Sequence, residues 1–190
     1  RDVERSRGLG DVYKRQLSYV AMRKDDKAGL VTFNEYFDTF VPASKQVGQM
    51  QTLLENLYKQ ETTFGETDFS ALCGHLGKHV NKRSFLVLYT NFSNMTSLNR
   101  QLVYLQQLAR QHRVLVVFFE DADLKEYIAG KSVTTEDYYR HVIAEKFAFE
   151  KRLIVSTLKQ HGIYSLLTTP DKLSIDVINK YLEMKSRQLL

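Results

Sequence analysis

Two nearly uninterrupted apolar runs constrain the fold of this chain more than any other feature. Arg83-Ser-Phe-Leu-Val-Leu-Tyr89 and Val114-Leu-Val-Val-Phe-Phe119 predict strands covered on both faces, as central strands of a parallel sheet are. Between them lies Leu98–Gln111, with Leu102, Leu105 and Leu108 at helical spacing. Strands alternating with helices imply a mainly parallel sheet sandwiched between helix layers.

The rest of the chain follows the same alternation. Leu17–Arg23 reads as the last turns of a helix, and Gly29–Phe33 as a buried strand. Phe37–Val41 alternates like a half-exposed edge strand closed by Pro42, giving an antiparallel hairpin at the sheet's edge. Ser44 is placed to cap a helix carrying Val47, Met50, Leu53, Leu54 and Leu57. After a polar loop over residues 60–67, Asp68–Val80 predicts a helix with Phe69, Leu72, Leu76 and Val80 on one face. Asp123–Ala129 reads as a short helix. A long one opens at Thr135, with a core-facing stripe that takes in Phe147 and Phe149, a solvated basic side of Lys146, Lys151 and Arg152, and a stop at Gly162. Ile163–Thr168 is the last strand. The final helix runs through Arg187 with Ile175, Ile178, Tyr181 and Leu182 as its buried stripe.

With 190 residues the chain is long enough for one domain with a real core and short for two. Its hydrophobic content of 43% excludes a disordered chain. The net charge of +5 is spread along the sequence without a basic stripe or a recognisable module, which argues against nucleic-acid binding. Cys73 is the single cysteine, so no internal disulfide forms. No apolar run reaches the length of a membrane span.

Residues 1–16 stand apart from the rest of the chain. They lack apolar periodicity, and Asp11-Val-Tyr-Lys-Arg-Gln16 resembles the translation of a transposon end used in sequencing libraries. We read residues 1–16 as a non-native head and 17–190 as the domain; the competing explanation is a natural basic tail.

Four segments carry a family resemblance. Lys27-Ala-Gly-Leu-Val-Thr-Phe-Asn34, Gly65-Glu-Thr-Asp-Phe-Ser-Ala-Leu72, Ser84-Phe-Leu-Val-Leu-Tyr-Thr-Asn-Phe92 and Asn179-Lys-Tyr-Leu-Glu-Met-Lys185 resemble, in order and with matching spacing, bacterial von Willebrand factor type A-like proteins of domain-of-unknown-function family 58. The resemblance implies a three-layer Rossmann-like fold whose first central strand is missing here, lying upstream of Leu17. Loss of that strand would leave two others with unpaired edges, and the sheet would show a gap or altered pairing.

What the resemblance implies for function is a protein-interaction module, not an enzyme. The family's metal-ion-dependent adhesion site holds magnesium through oxygen ligands from a D-x-S-x-S motif, a Thr and an Asp, leaving one position for a partner's carboxylate. The Thr falls on Thr67 and the Asp on Asn91, which brings no charge; the D-x-S-x-S segment would precede Leu17. The site is therefore expected to be degenerate, with Thr67, Asp68, Asn91 and Ser93 as its binding residues. No cofactor is expected here, and magnesium only in the intact protein. Thr67 equally suits a helix cap and Asn91 a turn. By analogy the partner is a MoxR-type AAA+ ATPase, and the full-length protein is cytoplasmic or anchored to a membrane by segments outside this chain.

The rival from another class is a doubly wound, metal-dependent hydrolase whose catalytic acid sat on the first strand. Sequence upstream of Leu17 separates the two, D-x-S-x-S supporting the adhesion site and D-x-D the hydrolase. The acidic group Glu120, Asp121 and Asp123 at a strand end serves equally as a polar exit from the sheet. Cys73, His75 and His79 share a helical stretch, but the Glu of the zinc-protease motif and a third ligand are missing. Exposed helix histidines explain the pair as well.

Overall fold

Of the two most apolar runs in the sequence, Val114–Phe119 lies the deeper. The computed structural model describes residues 15–33, 37–59, 67–92, 94–119 and 135–190. Its elements, in mixed α/β order, are a helix over residues 15–23 (α1), β1 (Ala28–Phe33), β2 (Phe37–Ser44), α2 (Gln49–Tyr58), α3 (Phe69–His79) and β3 (Phe85–Tyr89). There follow α4 (Met95–Gln111), β4 (Arg113–Phe119), α5 (Thr135–Gln160), β5 (Tyr164–Thr168) and α6 (Leu173–Ser186). Two units form, one of residues up to Asn81 with Val177–Glu183, the other of Lys82–Asp176 with Met184–Leu190. The expected helix at Asp123–Ala129, the acidic group at Glu120, Asp121 and Asp123, and residues 1–14 of the head lie outside the described residues.

In the second unit β4 is the central strand of a parallel sheet ordered β3-β4-β5. Phe85 pairs with Arg113 and Tyr89 with Val117, while Leu115 pairs with Tyr164 and Phe119 with Thr168. Hydrogen bonding on both edges leaves Val114 to Phe118 buried throughout. The equally apolar β3 does not sit centrally as its composition predicts. Among the described residues β4 alone flanks it, and only Leu88 is fully buried. α4 packs on β4 and α5 on β5, burying Leu98, Leu105, Leu108, Ile154 and Leu158. α5 ends where Gly162 takes the left-handed conformation, φ 71°, so that Gly162 N–H donates to Lys159 O and Ile163 N–H to Leu158 O. A Cβ there would be strained, which is why glycine terminates this helix.

In the first unit β1 and β2 form a separate antiparallel pair, Leu30 opposite Val41 and Thr32 opposite Thr39. Among the described residues no ladder joins this pair to the parallel sheet, so the single sheet with an edge hairpin is met only in part. Pro42 does not close β2; the strand continues to Ser44. Gly29 is required by close approach, because a Cβ would stand 2.8 Å from Val41 O. Ala28, Val41 and Leu53 make a core here, with Met22, Leu30 and Met50 packed on it.

Several predicted details are corrected. Ser44 caps no helix: its Oγ accepts from Gln46 N–H in a local turn, and α2 begins after Gly48, leaving Val47 exposed. In α6 the buried stripe is Leu173, Val177, Tyr181 and Met184, and Ile175 is exposed. The helix starts at Leu173, which sets a phase the predicted stripe misses by about one residue. In α5 the core face is Ala144, Ile154 and Leu158, while Phe147 and Phe149 are exposed.

Candidate functional site

The loops that leave the carboxyl ends of parallel strands are where sites form in such sheets, since neighbouring strand tips point the same way. β3 ends at Tyr89; Thr90 N–H donates to Val117 O, extending the ladder, and the chain then turns through Asn91 and Phe92 into α4. Phe92 is buried and anchors the turn. Asn94 caps α4, its side chain accepting from Ser97 N–H at 2.8 Å. Asn91 is thus held between a strand end and a capped helix start, its side chain free of capping duty.

The partner of Asn91 comes from α5. Lys151 Nζ donates to Asn91 Oδ1 and to Phe92 O, both at 2.7 Å, and stands 5.6 Å above the Phe118 ring. A two-fold charge-assisted bond and an aromatic face hold the ammonium. Burial pulls the Lys151 pKa below its ordinary value. An internal cation therefore engages the oxygen that the resemblance assigns to a metal. The solvated basic side expected for Lys151 is corrected accordingly. Its position is the available clue, because it lies three residues before Ile154 and seven before Leu158, on the buried face.

Thr67 and Asp68 belong to the first unit. Asp68 caps α3 through Oδ1, which accepts from Ser70 N–H at 2.8 Å and Ala71 N–H at 3.0 Å. The cap is Asp68 rather than Thr67, which is half-buried just ahead of it. Ser93 lies outside the described residues. Other polar groups near the strand ends are Thr168, whose hydroxyl donates to Asp176 Oδ2, and Tyr89, whose buried hydroxyl has no partner among the described residues. Burial pushes the Tyr89 pKa up.

The His75 and His79 rings stack at 4.2 Å, and Phe40 meets His75 edge-on at 5.1 Å and His79 at a tilt at 5.5 Å. Cys73 faces the core, and burial, then the charge of Asp68, pushes its thiol up to about 11, too high for a ready ligand or nucleophile. Among the described residues no group of three or more His, Cys, Asp or Glu could hold a metal ion.

The match to a family model called "Protein of unknown function DUF58" covers residues 13–134. The chain belongs to this DUF58 family. The match begins four residues inside the head read as non-native and ends one residue before α5, so in the DUF58 chain Asn91 lies in the matched part and Lys151 beyond it. No curated protein and no solved structure matches it. Among the described residues no helix is long and apolar enough to cross a membrane.

One buried imidazole of the DUF58 chain predicts a pH-dependent stability. His112 is 2% exposed, its Nδ1 facing Ser84 N–H at 3.4 Å, and burial lowers its pKa below 6.5. With the folded value below the unfolded one, the unfolded chain binds the proton first as pH falls. Stability should therefore drop as pH is lowered from about 6.5 and level off once the folded imidazole is protonated. Urea midpoints of wild type and His112→Gln between pH 5 and 7.5 check this; equal slopes would disprove it.

Proposed function

We propose that this chain is a non-enzymatic protein-interaction module of the von Willebrand type A class, with a degenerate adhesion site that works without a metal at Asn91. The observation that carries the proposal is the Lys151 ammonium 2.7 Å from Asn91 Oδ1 and Phe92 O. By the resemblance, a metal site takes an Asp oxygen from this loop. Asn91 supplies none, and a fixed ammonium supplies the positive charge in its stead. An ammonium carries three donors, of which these bonds take two, and the third suits a carboxylate from a partner. The partner is an acidic surface of a protein, by family analogy a MoxR-type AAA+ ATPase, met in the cytoplasm or at its membrane face. Roles for Thr67 and Asp68 in the same function rest on the resemblance alone, as does magnesium binding by a longer form.

The test is binding of the chain to a purified MoxR-type ATPase by surface plasmon resonance, with magnesium and with EDTA. Binding should be the same in both buffers and should weaken by about tenfold or more in Lys151→Met, the worth of one desolvated charge pair. Binding abolished by EDTA sinks the metal-independent site. Absence of binding in either buffer sinks the partner.

A further inference from the structure

The remaining feature without a role is the outer side of α5. This helix is 26 residues long, about 39 Å. It buries Ala144, Ile154 and Leu158 on one face, yet Tyr138, Tyr139, Val142, Ile143, Phe149 and Leu153 are each 40–67% exposed. At 100° per residue these six fall on a continuous arc of about 140°, which adjoins the buried face at Ile143. Together they expose roughly 600 Å² of apolar surface, at the upper end of what a monomer tolerates and most of the half-interface of a stable complex.

The same arc contains a socket. Lys146, Phe149, Glu150 and Leu153 of α5, with Asn94, Met95 and Thr96 at the start of α4, line an open groove of about 400 Å³. Its walls are mainly apolar. The groove therefore fits a flat aromatic ring. Two such groups, Tyr138 and Tyr139, protrude three turns earlier on the same helix.

We propose that the outer face of α5 pairs antiparallel with the same face of a second copy of this chain. A two-fold axis near Ala144 brings Tyr138 and Tyr139 of one copy opposite Phe149 and Glu150 of the other, and Val142 opposite Lys146. A tyrosine ring then enters the groove against Phe149 with its hydroxyl left in water, and the Lys146 stem lies over Val142 with its ammonium in water. Each copy supplies plug and socket, so the contact closes on itself with every interaction made twice. The dimer is independent of the strand-end site around Lys151.

Sedimentation velocity on the whole chain over a range of concentrations tests the pairing. Wild type should show a reversible monomer–dimer equilibrium. Tyr138→Ser with Tyr139→Ser should weaken it more than about tenfold, as loss of central aromatic anchors does. Circular dichroism of that variant should be unchanged, because both side chains are exposed. Mild oxidation of an equimolar mixture of the single variants Val142→Cys and Lys146→Cys should link one copy of each, with the buried Cys73 taking no part. A monomer at every concentration, a dimer indifferent to the tyrosines, or a dimer that fails to cross-link would each overturn the proposal; the first would give this face to a different protein.

Discussion

Replacing Phe118 by alanine is expected to lower the unfolding free energy by about 3–5 kcal/mol, the range for truncating a fully buried aromatic ring. Phe118 is 0% exposed and sits on β4, which is hydrogen-bonded to β3 and β5 along its length. A strand pinned on both edges cannot move inward to fill the cavity, which places the cost towards the upper part of that range. The loss also removes the aromatic face beneath Lys151 Nζ. Urea unfolding of the variant measures the effect. As a control on the same chain, Phe149→Ala should change stability by less than about 0.5 kcal/mol at concentrations where the chain is monomeric, because its ring faces solvent. Similar costs for the two would mean that β4 is not the centre of its sheet.

The contrast between these two phenylalanines shows what is legible in the sequence. β4 is readable because its run of six apolar residues has no polar alternative, and only a strand paired on both sides buries all of it. Phe149 misleads because apolar residues of this helix spread over most of its circumference and give no single period to read, and the buried arc is chosen by packing against β5. Strand β3 reads as central from composition alone, but centrality depends on how many neighbours a strand finds, which no local pattern encodes. Pro42 misleads in the other direction. A proline lacks the N–H that a ladder needs, yet the pairing of Ala28 with Ser44 continues β2 past it.

The site is legible by half. Asn91 can be placed at a strand end from its position after Ser84–Tyr89, and Asp68 can be recognised as a cap from its place ahead of Phe69. Lys151 cannot be joined to Asn91 by sequence, since sixty positions separate them and the lysine sits among aromatic residues that read as core. A charged residue at a core position of a helix is the feature that marks such a side chain, because an unpaired ammonium would not be tolerated there.

That lysine carries the second large effect. Lys151→Met keeps the apolar stem over Phe118 but removes both donors, leaving Asn91 Oδ1 and Phe92 O with no partner from α5. A bond to a charged group contributes about 1.5–3 kcal/mol when sheltered, and partial exposure of this pair reduces the expected cost to about 2 kcal/mol. The loss should be local before it is global. Hydrogen exchange at Asn91 and Phe92 should speed up by about tenfold or more, while amides of β4 keep their protection relative to the lowered global stability. Lys151→Arg should recover only part of the protection, because a planar guanidinium cannot place its donors where a compact ammonium does. Added magnesium should restore nothing in Lys151→Met, since Asn91 offers an amide oxygen without charge. If magnesium did restore the loop's protection, the lysine would be a substitute for a metal that the loop still accepts, and the metal-independent site would have to be given up.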